Sequence, residues 1–73
     1  MQRAEEVIGL LMDGKWHSFS EISEEINVHE SKIEILTDFL ADYSFLQLKK
    51  KEKKAKLTKA FEEFLKSIED LED

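Results

Sequence analysis

Seventy-three residues with no cysteine, no proline and two glycines permit one domain and exclude a disulfide-stapled fold. A chain this short buries only about 60% of the surface its unfolded form exposes, so tight helical packing, self-association or both must hold it. A hydrophobic fraction of 41% against 38% charge suffices for a core, and a net charge of −6 excludes a simple polycation.

The first helix is expected over Gln2 to Asp13. Ala4, Val7, Ile8, Leu11 and Met12 share one face, and Glu5 and Glu6 lie on the other. Asp13-Gly14 ends it, because glycine accepts the positive φ of a helix terminus. Lys15-Trp16-His17-Ser18 is too short for a helix and reads as a small strand or extended connector, with Trp16 as a core aromatic. Ser18 and Glu21 have the spacing of a capping box, which starts a short second helix carrying Phe19, Ile22 and Ile26. Asn27 tolerates the left-handed conformation and stops it.

A third helix is predicted from about Glu30 to Tyr43, with Ile33, Leu36, Leu40 and Tyr43 on one stripe and Phe39 at its edge. After Ser44 the period changes. Phe45-Leu46-Gln47-Leu48 and Lys54-Ala55-Lys56-Leu57 read as two strands joined across Lys50-Lys51-Glu52, a β-hairpin. Thr58 caps a last helix over about 58–72. There Leu57, Phe61, Phe64, Ile68 and Leu71 step by 4, 3, 4 and 3.

The predicted order is helix, strand, helix, helix, strand, strand, helix. The fold class is mainly α with a small β-hairpin (α+β), in a single domain spanning 1–73. At this point the residues carry a resemblance. The helix pair split at Asn27, the run Ile33…Leu40…Tyr43-Ser44-Phe45-Leu46 and the lysine-tipped hairpin together resemble a winged helix-turn-helix domain of the kind found in small microbial transcriptional regulators. Gly14-Lys15-Trp16-His17-Ser18 is similar to the short first strand of that family, and Ser44 stands where glycine is more usual. The resemblance covers about residues 4 to 58. It implies double-stranded DNA as partner, with the third helix entering the major groove and the hairpin serving as the wing.

Charge is distributed unevenly along the chain. Residues 1–27 hold two bases and six acids, residues 28–46 one base and four acids, and residues 57–73 two bases and six acids. Residues 47–56 hold six lysines and one glutamate. Lys49, Lys50, Lys51, Lys53, Lys54 and Lys56 are therefore the candidate phosphate contacts, joined on the third helix by Ser31 and Lys32. The outward face of that helix otherwise carries Glu30, Glu34, Ile35, Asp38 and Asp42, the wrong chemistry for reading bases. Wing-led, weakly selective DNA binding by a transcription regulator is the expected function. The alternative is docking of a basic protein partner on Glu30, Glu34, Ile35, Asp38 and Asp42, alone or as a subunit of a nucleic-acid machine. A lysine-rich hairpin tip also keeps edge strands soluble, which is its plainest reading.

Phe61, Phe64, Ile68 and Leu71 are the candidate homodimer contacts, since Ile68 and Leu71 extend past the reach of a small core. A two-fold dimer formed by the first and last helices would pair two wings. His17 and His29 fall on separate segments, and no Gly-rich phosphate loop or nucleophile elbow is present, so neither an enzyme, a cofactor nor a metal site is expected. Uncharged runs such as Val7 to Met12 are far below the roughly 20 apolar residues of a membrane span. With no secretory leader pattern either, the expected location is cytoplasmic.

Overall fold

Gly14 and Asn27 set the first two corners of the chain, at φ +75° and +56°. The computed structural model describes residues 3–71, with backbone alone at 70 and 71. Helix α1 (Ala4–Leu10) tightens into a 3₁₀ turn at Leu11–Asp13, so the expected first helix is shorter, and Gln2 lies outside the described residues. Strand β1 (His17–Ser18) leads into α2 (Phe19–Ile26), then α3 (Glu30–Asp42), β2 (Leu46–Lys49), β3 (Lys54–Leu57) and α4 (Lys59–Leu71). The fold is α+β, with four helices and one antiparallel sheet in the order β1-β3-β2 among the described residues. The small strand or extended connector expected before α2 is a strand of the sheet, as His17 and Ser18 pair with Ala55 and Lys54.

Side chains at the ends of elements account for the boundaries. Ser18 Oγ accepts from the Glu21 amide at 3.0 Å and caps α2. The reciprocal half of the expected capping box is replaced by another contact, because the Glu21 carboxylate turns to His17 Nδ1 at 2.6 Å. Asn27 closes α2, with the Val28 amide donating to the Ser23 carbonyl at 3.1 Å and the Ser23 hydroxyl to the Val28 carbonyl at 2.6 Å. Thr58 Oγ1 accepts from the Phe61 amide at 3.2 Å and donates to the Ser44 carbonyl at 2.8 Å, tying the start of α4 to the end of α3.

The end of α3 is a Schellman motif. The Phe45 amide donates to the Leu40 carbonyl at 3.1 Å and the Ser44 amide to the Ala41 carbonyl at 2.9 Å. Ser44 occupies the left-handed position at φ +63°. A serine pays for that geometry with backbone strain that glycine avoids. Ser44→Gly is therefore expected to stabilise the protein by about 0.5–1 kcal/mol, read as a higher urea midpoint at unchanged slope. A lower midpoint would contradict the assignment. The same turn carries Tyr43 off the predicted core stripe, leaving it 60% exposed.

Val7, Leu11, Phe19, Ile22, Ile26, Ile33, Leu36, Leu40, Leu46, Ala55 and Leu57 form one core shared by every helix but α4 and by both long strands. Helix α4 is laid against it through Phe61 and Leu65. Thr37 is fully buried and satisfied, its hydroxyl donating to the Ile33 carbonyl at 2.8 Å. Sheet alternation directs Leu46, Ala55 and Leu57 inward and Gln47, Lys49, Lys54 and Lys56 outward. Trp16 lies one step before β1, level with Lys56, and so sits on the outer sheet face; it does not seal the core as the sequence suggests.

Candidate functional site

The hairpin reverses through a four-residue turn, Lys50 to Lys53, between paired ends Lys49 and Lys54. The Lys53 amide closes the turn onto the Lys50 carbonyl at 3.2 Å, with Lys53 at φ +54°. That left-handed residue does the work that Asn-Gly does in shorter turns. The Lys53 carbonyl accepts from the Phe19 amide at 2.8 Å and fastens the tip to the start of α2.

The six lysines sort into two groups. Three are ion-paired: Lys50 Nζ lies 3.2 Å from Asp38, Lys53 Nζ 3.9 Å from Glu30, and Lys54 Nζ 3.9 Å from Glu52. All three pairs are exposed, so each is worth about 0–1 kcal/mol and is open to exchange with another anion. Lys49, Lys51 and Lys56 have no carboxylate partner among the described residues. Lys49 and Lys56 instead place their ammonium groups 4.5 and 5.4 Å from the centre of the Trp16 ring. The hairpin thus rests one side against the acids of α3 and turns the other outward.

The outward residues of α3 divide into two flanks. Glu34 and Asp38 border a small hollow with Phe19 and Lys50, and Asp42 is exposed near the helix end. Ile35, 64% exposed, belongs to the other flank. There a groove of about 500 Å³ is lined by Arg3, Val28, His29, Lys32, Ile35 and Leu36, with Asn27 at its end. Lys32 therefore faces the groove and stands apart from the hairpin lysines. Ser31 is exposed at the helix start, its hydroxyl 3.3 Å from His29 Nδ1. The sequence gives no signal for this groove, because Arg3 reaches it from a distant segment and is fixed there by donating to the Ile26 carbonyl and pairing with Glu6.

An aromatic row links α3 to α4. Phe39, Tyr43, Phe45, Phe61 and Phe64 follow one another with ring centres 5.1, 5.9, 4.2 and 6.2 Å apart. Phe45 and Phe61 are half-buried, whereas Phe64 is 56% and Ile68 37% exposed. The Leu71 side chain lies outside the described residues.

His17 joins three elements. Nε2 lies 2.9 Å from Asp13 Oδ1 and Nδ1 2.6 Å from Glu21 Oε2, on opposite edges of the ring, so the two carboxylates do not converge on a shared cation position. Burial disfavours the charged imidazole, but hydrogen bonds to Asp13 and Glu21 outweigh it and raise the pKa above 6.5. Asp13 is lowered from 3.8, first by its bond to His17 and then by the Lys15 amide. A raised histidine stabilises the fold fully below its unfolded pKa and loses that contribution as pH climbs through the folded value. The urea midpoint is expected to fall as pH rises past the ordinary histidine range and through the raised folded value, and His17→Asn to flatten that fall. An unchanged profile in the variant would remove the clamp from the account. At the acid end the sign reverses: the lowered Asp13 stabilises above its unfolded pKa and is lost as pH drops through its folded one.

Among the described residues no helix is long and apolar enough to cross a membrane. No family model, curated protein or solved structure matches the chain.

Proposed function

We propose that the chain is a small winged-helix regulator that holds double-stranded DNA through phosphate contacts of its lysine-rich hairpin, with little sequence selection. The observation that carries this is the concentration of six lysines in residues 49–56 of a chain whose net charge is −6. Electrostatic screening over about 8 Å at physiological salt keeps the acidic body from cancelling the hairpin at a distance. The acids of α3 make helix-led base reading unfavourable, so affinity resides in the wing. Anisotropy of a labelled random duplex provides the test. With three to six lysines engaged, log K should fall against log salt with a slope of about −3 to −5, losing about 50- to 1,000-fold from 50 to 200 mM. No binding at 50 mM, or binding indifferent to salt, would overturn the proposal.

Self-association through α4 completes the reading. Phe64 and Ile68 are large apolar side chains left open on a helix that, among the described residues, packs on the core through Phe61 and Leu65. A two-fold pairing of this face covers them and brings two wings to one duplex. Sedimentation equilibrium should show a dimer that Phe64→Glu dissociates; a wild-type monomer at high micromolar concentration would contradict it.

One observation favours a second reading, protein docking on α3: Ile35 is open beside a groove of about 500 Å³. A basic partner would meet Glu34 and Asp42 on one flank, Asp38 and Glu30 being engaged with Lys50 and Lys53. A pull-down lost on Ile35→Asp and Glu34→Lys supports docking, and one indifferent to both removes it.

A further inference from the structure

The outer face of the sheet pairs a lone aromatic with cations. Lys49 stands opposite Lys54 and Gln47 opposite Lys56, so this face brings like charges together across two strands, an arrangement that costs stability unless an anion or a π face relieves it. Trp16 supplies the π face, its indole beneath Lys49 Nζ at 4.5 Å and Lys56 Nζ at 5.4 Å. Neither lysine has a carboxylate partner among the described residues, whereas Lys50 and Lys53 are turned to α3. Trp16 is partly buried under the two lysine stems and absent from the core.

From this juxtaposition we infer that the outer sheet face is a stacking site for single-stranded nucleic acid, with a base on the Trp16 indole and the adjoining phosphates on Lys49 and Lys56. It rests on the reading of the hairpin as a phosphate-binding element and names a second nucleic-acid form for it. The chemistry selects single strands because base faces in a duplex are already occupied by neighbouring bases, while an unpaired base offers its π face to an aromatic. The two ammonium groups now satisfied by the ring are mobile on long stems, so they move to flanking phosphates as the base takes their place. Lys54 and Gln47 continue the polar track along the face.

Trp16 is the one tryptophan of the chain, so its emission reports this site alone. Oligo-dT and oligo-rU of about 12 nucleotides, within the usual site sizes, are titrated at 50 mM salt beside a labelled duplex read by anisotropy. Both single strands should quench Trp16 in a saturable, salt-reversible way, a stronger response to one of them identifying DNA or RNA as the preferred source. The duplex should bind with little quenching. Trp16→Leu, shown by circular dichroism to be folded, should weaken single-strand binding about 5- to 100-fold and leave duplex affinity within about twofold. Lys49→Gln with Lys56→Gln should reduce the single-strand salt slope by about 1.4. Single strands that bind without changing the emission, or that bind Trp16→Leu as well as wild type, overturn the stacking site while duplex binding leaves the wing reading standing. Absence of binding to either form overturns both; quenching by single strands without duplex binding supports the stacking site and removes the duplex reading. Wild-type quenching decides the matter even if the leucine variant does not fold.

Discussion

Neutralising the acidic face of α3, by Glu30→Gln, Glu34→Gln, Asp38→Asn and Asp42→Asn together, is expected to tighten duplex binding about tenfold at 50 mM salt. A carboxylate about 7 Å from a phosphate in a watery groove repels it by about 0.6 kcal/mol before screening. At this salt about half survives, and four acids then oppose binding by a little over 1 kcal/mol, or about tenfold. Two of the four also hold wing lysines, Asp38 on Lys50 and Glu30 on Lys53, so neutralisation frees those ammonium groups as well. The opposite change is larger. Lys50→Glu with Lys51→Glu removes two phosphate contacts and should cost about a hundredfold at the same salt. Anisotropy on both variants, with circular dichroism to confirm folding, checks the pair. Weaker binding by the neutralised variant would mean that those carboxylates serve the interface.

The second large effect lies in the core. Ile33→Ala is expected to lower the melting temperature by about 10 to 30 °C, following a cost of about 2–5 kcal/mol for emptying a buried isoleucine site. Ile33 has no exposure and sits in α3 against the shared core. A domain of this size has only about 3–5 kcal/mol in hand, so the variant stands at the edge of unfolding. Ile35→Ala, two positions along the same helix and 64% exposed, should change stability by less than about 0.5 kcal/mol. Thermal melts of both variants test the face assignment. Similar losses at the two sites would mean that α3 is rotated from the orientation described.

The core and the helix ends were legible because each rests on local chemistry. Gly14, which has no Cβ to clash, and Asn27, whose short polar side chain tolerates it, adopt the left-handed backbone, and Ser18 and Thr58 cap the helices that follow them. Ile33, Leu36 and Leu40 keep a helical period that points to one face, and all three are buried. Tyr43 continues that period on paper, but the helix ends at Asp42 and the Schellman turn at Ser44 redirects the chain, so periodicity misplaces it. Non-local features carried no such signal. Pairing of β1 with β3 depends on a separation of 38 residues between His17 and Ala55, and it sets Trp16 outward against Lys49 and Lys56. The lysine cluster was plain in the sequence. Its division between the α3 side and the sheet side was not, because Asp38 and Glu30 meet their lysines only through the tertiary fold.

Asp38 and Glu30 of α3 thus form one electrostatic unit with Lys50 and Lys53 of the hairpin. Exposed pairs of this kind are weak enough to open when a polyanion competes for the same ammonium groups, and strong salt dependence follows from the counterions that such contacts release. Backbone amide shift mapping during titration of a random duplex at 50 mM salt reads this most directly. Perturbations are expected at residues 47–56, with smaller changes at Glu30 and Asp38 as their lysines let go. Shifts centred on Glu34, Ile35 and Asp42 with a silent hairpin, or no shifts at all, would contradict the account.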